Sequence, residues 1–162
     1  MLVEVQALVT KTWAPLPRRS AQALDAGRLA LLLAVLQERA GVDLGGFDVY
    51  ASVAGGVRVG EPGIDLAVAM AVASARTDRP MPTDTVVIGE VGLGGELRQV
   101  PQVARRLTEA ARLGFARAIV PRSTPDVAGI GLLRATDLSA ALQALATRVA
   151  PRHALMAVPD RE

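Results

Sequence analysis

The sequence predicts an α/β (α+β) domain with a mixed sheet, and three observations predict it. Short apolar runs that alternate in period two stand between longer stretches of helical period. Glycine and proline punctuate the boundaries, and no fixed interval repeats as it would in a solenoid. With 162 residues the chain is sized for a domain over 1–150, able to bury roughly 70% of its unfolded surface. Residues 151–162 read as a flexible C-terminal tail.

Leu2 to Thr10 opens the chain as a strand, with Val3, Val5, Ala7 and Val9 on one face. Trp13 to Ser20 holds two prolines and reads as a connection. Asp25 is an N-cap for a helix that runs through Leu32 and Leu36 to a stop at Gly41. Phe47 to Val53 is the second strand, ended by Gly55 and Gly56. Pro62 is placed to open the next helix, and Leu66 to Ala75 continues it with hardly a polar residue, so that helix is central. Thr85 to Ile88 is a short strand and Leu93 to Leu97 a hairpin. Pro101 opens an amphipathic helix to Leu113, stopped by Gly114. Ala118 to Val120 is a buried strand, and Asp137 caps a last helix to about Arg148.

Hydrophobic residues make up 51% of the chain but aromatic ones only 2%. The core is therefore aliphatic, with Trp13, Phe47, Tyr50 and Phe115 as its only rings. Cysteine is absent and His153 is the one histidine, which removes thiolate chemistry, disulfides and multi-His/Cys zinc sites. The longest apolar stretch, Ile64 to Ala75, is interrupted by Asp65 and too short to span a bilayer, and the opening Met1-Leu2-Val3-Glu4 has neither a basic n-region nor an apolar h-region. A cytoplasmic protein without membrane partners is expected.

Net charge is +2, yet the isoelectric point is near 9.9. Lys11 is the lone lysine among 18 basic residues. Guanidinium groups suit bidentate binding of carboxylate or phosphate, although a genome biased toward arginine codons produces the same composition.

Catalytic constellations are scarce. A triad on His153 would place it in the expected tail. Glu61 and Asp65 lie four residues apart at the start of the buried helix, where exposed amides favour carboxylates. Asp65 is read as part of a buried or interfacial ion pair, with Arg58 the nearest arginine in sequence. A phosphate loop of the form Gly-x4-Gly-Lys-Ser/Thr needs a lysine, and none follows position 11. Gly129-Ile130-Gly131 and Gly92 to Gly95 are read as turns.

Three segments together carry a family resemblance. Residues 56–80 read GVRVGEPGIDLAVAMAVASARTDRP, residues 89–96 GEVGLGGE, and residues 107–121 LTEAARLGFARAIVP. Their order and spacing resemble the proteolytic domain of Lon, a fold of the ribosomal protein S5 domain 2-like type. There a Gly-Pro-Ser-Ala-Gly turn opens an apolar helix, and a Gly-Glu hairpin and a lysine-bearing helix follow. The resemblance spans about residues 2–148. The phrases LVEVQALV, PRRSAQALDAGRLALLLAVLQERAG and DVYASVAGGVRVGEPGIDLAVA look like a branch in which this domain follows a RecA-type ATPase in bacterial recombination and repair proteins.

What the resemblance implies is specific. Lon-type peptidases pair a serine nucleophile with a desolvated lysine base, and those positions fall on Gly63 and Ala104, so no peptidase is expected. Ser20, Ser52, Ser74, Ser123 and Ser139 lie away from the Pro62 turn. No cofactor is expected here: ATP and magnesium would belong to the ATPase part of such proteins, and zinc to an N-terminal finger. The chain is expected to be a piece of such a protein. The implied partners are copies of itself in a hexameric ring, single-stranded or branched DNA, and a RecA recombinase. Arg18, Arg19 and Arg28 are expected to form one patch. Arg58 precedes the Pro62 turn, while Arg105 and Arg112 repeat with Glu109 on the outer face of the Pro101 helix and Arg106 lies beside them. These seven are the candidates for DNA-phosphate contact, by counterion release and without base stacking. An active peptidase and a purely architectural oligomerisation domain are the alternatives.

Overall fold

Alternation in the first strand, β1 (Val5–Lys11), turns Val5, Ala7 and Val9 onto the core and Leu8 outward. In the computed structural model, which describes residues 2–56 and 58–146, β1 pairs antiparallel with β3 (Phe47–Val53), from Val5 opposite Val53 to Lys11 opposite Phe47. The other edge of β3 takes β2 (Arg19–Gln22) in parallel. That strand falls in and just after the stretch expected as a connection. Arg-Ser-Ala-Gln has no apolar alternation, and its pairing comes from backbone groups that β3 would otherwise leave open.

The helix α1 (Ala26–Ala40) begins and ends as its sequence dictates. Asp25 accepts from the Arg28 amide at 2.7 Å, and Gly41 sits in the left-handed region with φ of +67°. Such a cap is worth about 1 kcal/mol. After Pro62–Ile64 forms a single 3-10 turn, α2 (Asp65–Thr77) buries Leu66, Val68, Ala69, Met70, Val72 and Ala73. Its expected central position is observed.

A second, wholly parallel sheet has the order β4 (Thr85–Val87), β7 (Arg117–Pro121), β8 (Gly131–Ala135). Ala118, Ile119 and Val120 of its central strand are fully buried, as expected for a parallel sheet covered by crossovers. Gly129 does turn, with φ of +83°, but Gly131 already starts β8, which corrects the reading of both glycines as turn. The short hairpin of β5 (Glu90–Val91) and β6 (Leu97–Arg98) closes through Gly92 to Gly95. The amphipathic helix is α3 (Val103–Arg112), and α4 (Leu138–Ala146) is capped by Asp137, which accepts from the Ala140 amide at 2.8 Å. His153 and the expected tail lie outside the described residues.

Two cores result. The larger joins α1, α2 and α4 to the first sheet, with Leu29, Leu32, Leu36, Leu44, Leu66 and Leu138 fully buried. The smaller packs Val103, Leu107 and Ala110 of α3 on Ala118 and Val120. Each such leucine contributes roughly 1.5–3 kcal/mol by leaving water. The expectation of aromatic core residues fails: Trp13 stands 85% exposed on the 12–18 connection, Phe47 and Tyr50 are half-buried, and Phe115 packs half-buried on the smaller core. Phe47 instead carries the Arg76 guanidinium, whose Cζ lies 4.0 Å from the ring centre.

Candidate functional site

Asp65, the first residue of α2, is 1% exposed and is satisfied on both oxygens. Its Oδ1 accepts from Arg28 Nε at 2.9 Å, and Oδ2 accepts from Arg28 Nη2 and from the Val91 amide at 3.1 Å. Arg28 Nη2 also reaches the Val91 carbonyl at 3.3 Å. The ion pair expected at Asp65 is therefore present, but its cation is Arg28 of α1, not Arg58. The partner comes from a facing helix because Asp65 points into the core, while Arg58 lies exposed in the segment before the turn. The Asp65 carboxylate holds Arg28 more firmly protonated than an ordinary arginine. Beside the pair, a cavity of about 240 Å³ is lined by Leu24, Leu29, Leu32, Val59, Ile64 and Val68 among others.

Glu61 goes elsewhere. Arg106 of α3 grips its carboxylate in a fork, Nη1 on Oε1 and Nη2 on Oε2 at 3.0 Å. This bond lowers the Glu61 pKa below its ordinary value. Gly63 lies buried under the fork: a Cβ there would sit 2.8 Å from Glu61 Oε1 and 3.4 Å from Arg106 Nη1. Ala104 is exposed on α3, its carbonyl accepting from Thr108 Oγ1 at 2.9 Å. Gly63 bears no side chain and Ala104 only a methyl, so neither can attack a carbonyl or move a proton.

The candidate arginines separate into two kinds. Arg19 is consumed by backbone carbonyls, donating to Phe47 O, to Leu44 O at 3.1 Å and to Arg18 O at 3.3 Å. Arg28 is turned onto Asp65, so two of the three guanidinium groups expected in one patch are spent on the protein itself. Arg106 is taken by Glu61, and Arg112 pairs with Glu109 at 3.1 Å one turn away on an exposed face, a pair screened by water and salt. Among the described residues, the guanidinium groups of Arg18, Arg58 and Arg105 donate no hydrogen bond and enter no salt bridge.

Arg58, Arg105 and Arg106 line one open groove of about 1590 Å³, bounded by residues 2–5, the 58–64 segment, α2, the 81–88 segment and α3. Its charge is mixed, since Glu4, Glu61 and Glu109 share the lining. Sequence reasoning missed the Glu61–Arg106 fork, whose partners lie 45 positions apart, and the Arg117–Asp84 pair at 2.8 Å that ties the second sheet to its leading loop. Neither pair has a local signal, because the partners meet only when separate elements pack. Among the described residues no group of three or more His, Asp or Glu could hold a metal ion, and no helix is long and apolar enough to cross a membrane.

Comparison with known proteins agrees with the recombination branch of the resemblance. The chain is 46% identical over 144 residues to the DNA repair protein RadA of Synechocystis, covering 88% of this chain and 28% of that protein. Against the RadA of Mycobacterium tuberculosis it is 45% identical over 157 residues, covering 96% of this chain and 33% of the relative. For Escherichia coli RadA the identity is 51% over 121 residues, 75% of this chain and 26% of the relative. The chain thus spans about a quarter to a third of the length of these relatives. Residues 54–124 also match the profile of a family described as subunit ChlI of Mg-chelatase. That stretch contains no lysine, so it brings no phosphate loop with it.

Proposed function

This chain belongs to the RadA family of DNA repair proteins, and from that premise we propose that it is a non-peptidase, Lon-like domain that supports a homohexameric ring and contacts the DNA backbone. One observation carries the DNA contact. Among the described residues the guanidinium groups of Arg18, Arg58 and Arg105 make no hydrogen bond or salt bridge, while Arg19, Arg28, Arg106 and Arg112 are satisfied by the protein itself. An unpaired exposed guanidinium binds phosphate with the release of condensed counterions, giving affinity that is indifferent to sequence and steep in salt.

The absence of peptidase chemistry rests on Gly63 and Ala104 standing where the Lon resemblance places serine and lysine. ATP hydrolysis would belong to the remainder of a full-length relative, since only Lys11 is available here. A RecA-type recombinase is the partner that a recombination role implies, and the cytoplasm is its setting. Absolute mass by light scattering, with and without a labelled single-stranded oligonucleotide at low and high salt, tests the reading. A hexamer-sized particle that binds DNA only at low salt is expected. A monomer indifferent to DNA at every salt concentration would contradict both halves.

A further inference from the structure

Trp13 and Leu16 are the most exposed large apolar side chains of the described residues, at 85% and 84%. They share the 12–18 connection, which crosses from β1 to β2 past the start of β3. The segment is anchored at both ends: the Thr12 amide donates to Gly46 O at 2.9 Å, and the Arg18 amide to Asp48 Oδ1 at 2.7 Å. Inside it the Ala14 amide donates to Thr12 Oγ1 at 3.2 Å, and Pro15 and Pro17 fix two further φ angles. The indole is thus presented from a restrained backbone, at little entropic cost to a ligand.

Charge says what kind of ligand. From Lys11 to Arg18 the segment reads KTWAPLPR, with a cation at each end and no carboxylate between. The Lys11 ammonium stands 5.3 Å from the centre of the Trp13 ring, and the Arg18 guanidinium has no protein partner. The nearby Asp48 already spends Oδ1 on the Arg18 amide. An exposed aromatic ring with the Lys11 ammonium over one face, on a segment that ends in Arg18, fits an unpaired base followed along its phosphates, because every base offers a face to stack and duplex DNA keeps its faces covered. A protein partner of apolar character would fit Trp13 and Leu16 but would leave both cations unused.

We infer that Trp13 is a base-stacking platform, flanked by Lys11 and Arg18 as phosphate contacts, and that it gives this domain a preference for single-stranded over duplex DNA. The inference rests on the proposed DNA contact and adds the side chain that selects single strands.

Trp13 is the only tryptophan, so its fluorescence reports the contact without a label. Oligothymidylate is expected to quench it saturably, while a duplex of equal length leaves it nearly unchanged. Trp13→Ala should bind oligothymidylate roughly tenfold more weakly, with duplex affinity unaltered, and Trp13→Phe should recover part of the loss. If Trp13→Ala binds single strands as tightly as wild type and both remain salt-sensitive, stacking is wrong and the backbone reading survives. If wild type binds no DNA at low salt, both fall. A concentration-dependent rise in mass that Trp13→Ala abolishes, with DNA affinity unchanged, would make the indole a contact between copies and overturn the inference.

Discussion

Arg28 and Asp65, 37 residues apart in sequence, lock α1 to α2 through a two-point guanidinium–carboxylate contact that also holds the Val91 amide and carbonyl of β5. Three elements meet at one buried charge, so this pair fixes where the 58–65 segment and the glycine hairpin sit. Removing its cation leaves a carboxylate that is 1% exposed without its counter-charge.

Arg28→Ala is expected to destabilise the fold by about 3 kcal/mol, the low end for a broken buried pair, because Arg28 keeps 35% of its side chain in water. Arg28→Lys should recover little, since an ammonium cannot span both oxygens. Urea unfolding with unchanged slope checks this. A loss under about 0.5 kcal/mol would place the pair among surface contacts.

Gly95→Ala should cost roughly 1–3 kcal/mol. Gly95 has φ of +84°, and an added Cβ would come within 3.0 Å of Arg39 Cβ on α1, so both backbone and neighbour resist it. Thermal melting of the variant measures the loss.

Installing serine at Gly63 and lysine at Ala104 should yield no peptidase. A side chain at 63 meets the Glu61–Arg106 fork, and position 104 is exposed, so a lysine there stays hydrated and protonated near neutral pH. Turnover of a fluorogenic peptide by Gly63→Ser/Ala104→Lys would show that the old chemistry needs only its side chains back.

Acid should weaken the fold through Glu61. Its folded pKa lies below the ordinary value of 4.5 because Arg106 hydrogen-bonds the charged form. The unfolded chain therefore binds more protons in that window. The contribution is fully present above about pH 4.5 and is lost as pH falls through the depressed folded value. Glu109, lowered by Arg112, acts in the same direction. Denaturation at stepped pH should show Glu61→Gln losing part of the wild-type acid slope and matching its shape above pH 5 or so.

Much of the framework was legible because local chemistry decided it. Asp25 and Gly41 bound α1, alternating valines make β1, and the all-apolar run after Pro62 makes the central helix. The two missed strands, β2 and β8, are parallel pairings of segments whose own residues, Arg-Ser-Ala-Gln and Gly-Leu-Leu-Arg-Ala, do not alternate. Their strand character comes from a neighbour distant in sequence. The same limit applies to the site. Asp65 was readable as a paired buried charge, but the choice of Arg28 over Arg58 depended on helix packing. Which arginines were spent internally could not be read from spacing, and neither could the exposure of Trp13, which composition alone would assign to the core.

The proposed DNA contact assigns phosphate to the three of the seven candidate arginines whose guanidinium groups are unpaired, and not to the four paired ones. Its most direct test is the slope of log affinity against log salt, for wild type, for Arg18→Ala/Arg58→Ala/Arg105→Ala, and for Arg112→Ala, whose guanidinium already has Glu109. The triple variant should lose affinity and its slope should flatten by about 0.7–0.9 per phosphate contact removed, while Arg112→Ala keeps the wild-type slope. A triple variant with the slope and affinity of wild type would contradict it.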